Sequence, residues 1–166
     1  MTLIDLGDIY IRKFVYSDIK GLYETMQDVN TARHVSNRKQ WSYKRVESFI
    51  KWNIEHEDDY YYAIVRKSDN AFIGYVGHKI YNYKDDNILT GKNVLTIVIK
   101  EKKKGYGKRV VNAYITYCND NNISLYASVD EDNTPSNMLF ISLGYHPQAK
   151  LRVDGITSNI YFLYQQ

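Results

Sequence analysis

One ordered succession of segments constrains this chain more than any other. An apolar strand-like segment, "VLTIVI" (Val94–Ile99), runs into the glycine-bearing basic stretch "KEKKKGYGKR" (Lys100–Arg109). The following "GKRVVNAYITYCNDNN" sets Val111, Tyr114, Ile115 and Cys118 on one face at helical spacing and stops in asparagines. "ISLYASVD" then alternates, with Ile123, Leu125, Ala127 and Val129 on one side. A strand, a helix and a strand in series predict a parallel pair joined by a right-handed crossover, hence an α/β (α+β) fold rather than an all-helical or all-β one.

The remaining elements fit around that unit. "IYIRKF" (Ile9–Phe14) predicts a first strand, and "SDIKGLYETMQ" a helix capped by Ser17 with Asp18 in its first turn. "SYKRVESFIKWNIEH" predicts a second helix capped by Ser42. Its apolar face is Val46, Phe49, Ile50 and Ile54, with Asn53 as the one polar member. The stretch between them, Asp28–Trp41, reads as loop with at most one short helix. "YYYAIVRK" and "AFIGYVGHKIY" flank the turn residues "SDN" and lead through "DDNILTGK" to "NVLTIVIK", a three-strand antiparallel meander. "TPSNMLFISLG" has Pro135 at its first turn and Gly144 past its end, the usual asymmetry of a short helix. "YHPQAKLRV" and "ITSNIYFLYQ" close the chain as a hairpin about "DG". The predicted order is β-α-α-β-β-β-α-β-α-β-β.

Composition sets the function classes. A length of 166 residues suits one domain spanning 1–166, long enough to bury a sizeable core. No apolar run approaches the roughly 20 residues needed to cross a bilayer. The opening "MTLIDLGDIY" carries acids where a signal peptide carries bases, and the lone Cys118 forms no internal disulfide, so a cytoplasmic protein is expected. Net charge +3 is too weak to imply nucleic-acid binding by itself. The 17 tyrosines suit either packing with the hydroxyl at the surface or a polar aromatic groove.

Gly105 and Gly107 at a strand-to-helix junction carry the chemistry. Unpaired N–H groups and the partial positive charge of a helix start attract a phosphate, and glycines let it approach the backbone closely. The dinucleotide-binding fingerprint fails for want of a third glycine, and no Gly-Lys-Ser/Thr follows as a P-loop requires. The plain alternative is a basic turn with solvated lysines.

Together with the next segment, these residues resemble the GCN5-related N-acetyltransferase (GNAT) family. The family's acetyl-CoA loop reads Gln/Arg-x-x-Gly-x-Gly/Ala; here stand Lys102, Lys103, Lys104, Gly105, Tyr106 and Gly107. Its next motif reads Asn-x-x-Ala/Ser-x-x-x-Tyr-x-x-x-Gly-Phe; here stand Asn133, Ser136, Phe140, Gly144 and Tyr145. The N-terminal half is similar to the ribosomal-protein-acetyltransferase-like subgroup and its aminosugar-acetylating relatives. The resemblance implies a single-domain GNAT fold, with a mixed, mostly antiparallel sheet and a splayed parallel pair. It implies acetyl-CoA as co-substrate and no metal. It further implies that the backbone of Ile97, Val98 and Ile99 pairs with pantetheine and that N–H groups from Lys102 to Lys108 take the pyrophosphate. Asn133 and Ser136 would lie along the pantetheine arm and Phe140 near the thioester. Two positions depart from the pattern: Lys102 replaces Gln/Arg, losing planar multidentate geometry, and Phe140 replaces a tyrosine that protonates the leaving thiolate in many relatives.

The implied reaction is acetyl transfer to a primary amine, such as a protein N-terminus, an aminosugar or a polyamine. The amine must be neutral to attack, and a carboxylate or histidine, directly or through water, would take its proton. A strand N–H near Val98 would polarise the thioester carbonyl. His78 is the candidate base, with a structural strand histidine as its competing role, and Tyr145 is a candidate acid. Asp58–Asp59 and Asp85–Asp86 would favour a cationic acceptor, although a solvated loop is the plainer explanation. Cys118 reads as core, and His34, His56 and His146 lack metal-ligand spacing. Two rival functions remain open at this stage: an inert CoA-binding sensor and a basic nucleic-acid-binding module. The C-terminal "NIYFLYQ" would suit pairing across a homodimer, but the sequence does not fix oligomeric state.

Overall fold

The computed structural model describes residues 2–35, 38–56, 60–82, 88–101 and 104–164. Eight strands, five α-helices and one 3-10 turn follow in the order β1 (Thr2–Asp5), β2 (Ile9–Arg12), a 3-10 turn (Tyr16–Asp18), α1 (Ile19–Thr25), α2 (Val29–Ala32), α3 (Tyr43–Glu55), β3 (Tyr60–Arg66), β4 (Ala71–Ile80), β5 (Asn93–Ile99), α4 (Tyr106–Asp120), β6 (Leu125–Asp130), α5 (Thr134–Ser142), β7 (Ala149–Val153) and β8 (Ile156–Phe162). The strand order is β1-β2-β3-β4-β5-β6-β8-β7. The α/β class and the predicted succession hold, with one strand added at the start and the short helix α2 added within the Asp28–Trp41 stretch. β1 escapes a periodicity reading because it is only four residues long and is irregularly paired with β2 between Thr2 and Ile4.

The chain divides into two units, Met1–Gly77 with Ile97–Lys104, and His78–Thr96 with Gly105–Gln166. In the first, α1 and α3 enclose an aromatic core. Phe14, Trp41, Phe49, Tyr61 and Tyr75 meet at centroid distances of 5.3–6.3 Å, and the buried Val98 of β5 belongs to the same cluster. The α3 cap is as expected: Ser42 Oγ accepts from Arg45 N–H at 3.1 Å. The α1 entry is not. Ser17 is exposed, while the buried Asp18 accepts from Val15 N–H at 2.9 Å and forks onto Arg12 Nη1 and Nη2 at 2.8 and 2.9 Å. Arg12, on β2, favours the carboxylate over the hydroxyl because only the carboxylate neutralises it.

β4 carries two glycines pressed by neighbouring backbone. A Cβ at Gly74 would lie 2.1 Å from the Val98 carbonyl oxygen, and one at Gly77 would lie 2.0 Å from that of Tyr60. No other residue type fits such approaches without moving a strand.

In the second unit β6 pairs parallel with β5 at Asn93↔Leu125 and Val94↔Tyr126, the first two residues of each strand. β6 then runs on to Asp130 with its antiparallel partner β8, in register from Tyr126↔Phe162 to Asp130↔Ser158. Val111, Tyr114, Ile115 and Cys118 are all buried on α4, as the spacing predicts, joined by Val110. Burial raises the Cys118 thiol to about 11, so it stays a packed neutral thiol. The β7–β8 turn has positive φ at both Asp154 (51°) and Gly155 (78°), the two-residue hairpin geometry that Asp-Gly favours.

Candidate active site

The strand, loop and helix singled out in the sequence form three local structures. At the end of β5, Lys100 N–H donates to Ile73 O at 2.7 Å. Backbone groups alternate between the two edges of a strand. Val98 and Lys100 therefore turn their N–H and C=O towards β4, and Ile97 and Ile99 turn theirs to the other edge. The narrow approach of the Val98 carbonyl to Gly74 agrees. The group expected near Val98 thus narrows to Ile97 or Ile99, while the Val98 side chain anchors the strand in the aromatic core.

The basic run comes next. Lys102 and Lys103 lie outside the described residues. The lysines on either side are not simply solvated: Lys100 Nζ is 3.1 Å from Glu24 Oε2, and Lys104 Nζ is 3.5 Å from Glu101 Oε2. Glu101 Oε1 accepts from Arg66 Nη1 at the end of β3, and Arg66 also forks onto Asp69. These hydrogen bonds, with Arg66 first, hold the Glu101 carboxyl below its usual range.

Gly105 opens α4 with φ +75° and ψ 4°. The left-handed conformation, not crowding, demands glycine here, since a Cβ would meet nothing within 4 Å. Arg109 N–H returns to Gly105 O at 3.3 Å, so the N–H groups of Tyr106, Gly107 and Lys108 precede the first intrahelical bond. Among the described residues no acidic side chain stands in the first turn, and the N-cap residue, Gly105, has no side chain with which to cap the helix. The start of a 15-residue helix carries a partial positive charge, which favours an anion.

The Asn133–Tyr145 motif has a local rationale at both ends. Asn133 is the N-cap of α5, its Oδ1 accepting from Ser136 N–H at 3.4 Å. At the other end Gly144 (φ 93°) donates to Ile141 O at 2.9 Å and Tyr145 N–H to Phe140 O at 3.1 Å, the paired bonds of a Schellman stop. Phe140 is buried and stacks on Tyr161, centroids 5.0 Å apart. Tyr161 in turn donates its hydroxyl to Asn137 Oδ1 at 2.6 Å. Asn137 is the residue that sequence reasoning missed. Its amide donates to Asp130 O and Asn133 O, and its oxygen also accepts from Asn159, so it ties α5 to the end of β6 and to β8. The one sequence signal for it is a polar residue among the apolar positions of α5.

His78 and Tyr145 stand in different surroundings. His78, near the end of β4, is 3% exposed, and its Nδ1 lies 2.7 Å from Tyr114 Oη on α4. Burial lowers its pKa to about 4, so it is neutral at pH 7. Tyr145 is half-buried and its phenol is raised by burial, so it keeps its proton. The acids at 58–59 and 85–86 lie outside the described residues. The surface-hydroxyl reading of the tyrosines fails for Tyr75, Tyr114 and Tyr161, which are fully buried; the last two pair their hydroxyls internally because a buried phenol needs a partner.

Comparison with known proteins agrees with this architecture. Residues 8–146 match the acetyltransferase (GNAT) domain family. The chain belongs to that family, a class of acyl-CoA-dependent acetyltransferases. No curated protein sequence matches. Among solved structures, a GNAT-family acetyltransferase from Bacillus anthracis superposes with a TM-score of 0.77 at 16% identity, covering 98% of this chain and 96% of that one. A spermidine N-acetyltransferase from Vibrio cholerae, in complex with CoA and spermine, gives 0.74 at 16% identity over 94% and 95%. A ribosomal-protein-S5-alanine acetyltransferase from Vibrio fischeri gives 0.72 at 16% identity over 95% and 93%. These similarities concern the fold. Among the described residues no helix is long and apolar enough to cross a membrane.

Proposed function

We propose that this protein is a single-domain N-acetyltransferase of the ribosomal-protein-acetyltransferase-like subgroup. It moves the acetyl group of acetyl-CoA to a primary amine by direct attack in a ternary complex. The observation that carries the reading is the start of α4 behind the left-handed Gly105, with no acid in its first turn among the described residues, joined in sequence to a strand whose Ile97 and Ile99 turn their backbone groups away from β4. The pantetheine amides pair with Ile97 and Ile99. The pyrophosphate takes N–H groups from Lys104 to Lys108, with Lys102 and Lys103 adding charge. Asn133 and Ser136 border the arm, and the Phe140 ring is apolar packing beside the thioester.

Acyl transfer then needs three things from the chain. A strand N–H, at Ile97 or Ile99, stabilises the oxyanion that forms when the amine attacks the thioester carbon. Holding amine and thioester together lowers the entropic part of the barrier. The departing thiolate takes a proton, and Tyr145, half-buried and protonated, is the group we assign to that step; the Phe140 ring has no proton to give. His78 is in the right protonation state for a base. Its depressed pKa gives weak drive for taking a proton from an ammonium, however, and its Nδ1 is shared with Tyr114. We therefore assign His78 a structural hydrogen bond and pass the amine proton to water.

Release of free CoA thiol, followed with a peptide N-terminus, an aminosugar and a polyamine as acceptors, tests the reading. Turnover with any of them supports it. Tight acetyl-CoA binding without turnover on any amine supports the sensor instead.

A further inference from the structure

Within the phosphate-attracting run "KEKKKGYGK" stands one acid, Glu101. An anion there opposes the binding of another anion unless it serves a second purpose. Its surroundings supply one. Oε1 accepts from Arg66 Nη1, across 35 residues of sequence, and Oε2 is buried, with Lys104 Nζ the cation beside it at 3.5 Å. Arg66 is itself fixed by Asp69 through two hydrogen bonds, Nε to Oδ1 at 3.0 Å and Nη2 to Oδ2 at 2.6 Å. Asp69 also accepts from Ala71 N–H at 3.2 Å, which ties the pair to the β3–β4 turn. Lys100, one residue earlier, is held by Glu24 on α1. Lys100 and Glu101, the first two residues after β5, are thus both pinned.

We propose that Glu101, through Arg66, is a positioning residue for the end of β5 and for Lys104, which it holds in place until a phosphate takes that lysine. The inference rests on the acetyl-CoA reading above. Glu101 itself touches no phosphate; its carboxylate fixes the end of the strand through Arg66 and stands beside the ammonium of Lys104. In its absence the Lys104 side chain must be ordered at the moment of binding, which weakens affinity.

Electrostatics alone predicts the opposite. Replacing an anion by a cation beside a polyanionic ligand strengthens binding. The sign of one substitution therefore separates the two ideas. CoA binding, measured by calorimetry, needs no acceptor amine. Glu101→Arg sets two guanidinium groups against each other and is expected to weaken CoA binding about 10-fold despite the added charge. The exchanged pair Arg66→Glu/Glu101→Arg, made together with Asp69→Asn so that no acid faces the new glutamate, restores the ion pair at the strand end and is expected to bind at least about threefold more tightly than Glu101→Arg alone despite carrying less positive charge, as coupled residues do. Glu101→Gln, the milder change should the arginine variant fold poorly, is expected to weaken binding in 0.5 M salt, where the charge gain is screened. Equal or tighter binding by Glu101→Arg, or no recovery in the exchanged pair, overturns the inference alone. Absence of CoA binding by the wild-type protein overturns the acetyl-CoA reading and this inference with it.

Discussion

The Nδ1 of His78 and the hydroxyl of Tyr114 lie 2.7 Å apart, with both residues buried. The pair joins β4 to the middle of α4, below the helix start assigned to phosphate. Because burial lowers the His78 pKa to about 4, the unfolded chain binds a proton near pH 6.5 that the folded chain refuses until about pH 4. The stability from keeping His78 neutral is full above about pH 6.5 and is lost as pH falls through that window, by up to about 1.4 kcal/mol per pH unit. Urea unfolding at several pH values should show a shallower loss across pH 6.5–4 in His78→Gln than in wild type. Equal slopes would contradict the account.

The same pair predicts a mutation cost. Tyr114→Phe removes a buried hydroxyl beside a buried ring nitrogen and should destabilise the protein by about 1–3 kcal/mol in denaturant titrations. Acetyl-CoA affinity should stay within about twofold, since the hydroxyl is assigned to packing rather than to the ligand. A large loss of affinity at unchanged stability would place His78 and Tyr114 in the catalytic machinery instead.

Two glycines should behave differently for different physical reasons. At Gly77 a Cβ would collide with the Tyr60 carbonyl oxygen, so Gly77→Ala should cost about 3 kcal/mol or more and lower Tm sharply. At Gly105 there is room, and Gly105→Ala bears only the left-handed backbone penalty of about 1 kcal/mol. Its expected signature is weakened acetyl-CoA binding with a nearly unchanged Tm. The reverse pattern would mean that the start of α4 is not the phosphate site.

Tyr145→Phe tests the assigned proton donor. Loss of general acid catalysis should lower kcat by about 10²–10⁴-fold with little change in acetyl-CoA KM or in Tm. A kcat within twofold of wild type would mean that the thiolate leaves without help from this phenol.

Much of this architecture is legible because it rests on short-range rules. The α4 face is four residues at helical spacing, the β7–β8 turn is an Asp-Gly pair, and the α5 stop is a glycine in the Schellman position. The coarse features of the proposed cofactor loop, glycines between a strand and a helix, belong to the same class. What escaped the sequence is long-range or side-chain specific. The Arg66–Glu101 pair spans 35 residues, so neither member announces the other. Asn137 looks out of place on α5 until Tyr161 and Asn159 of β8 arrive to satisfy it. Ser17 satisfies the capping rule, yet it stays exposed, and the Asp18 carboxylate turns back to Val15 N–H and Arg12 instead of capping α1. β1, at four residues, has no period to read.

Thermal unfolding with and without saturating acetyl-CoA tests the central claim most directly, with a single-stranded oligonucleotide as comparison. Acetyl-CoA at 100 times its dissociation constant adds about 2.7 kcal/mol to stability. For a chain of this length the expected rise in Tm is roughly 5–10 °C, absent with the oligonucleotide and reduced in Gly105→Val. No rise with acetyl-CoA, together with a rise on adding the oligonucleotide, would contradict the acetyltransferase account and make the lysine run a nucleic-acid-binding loop.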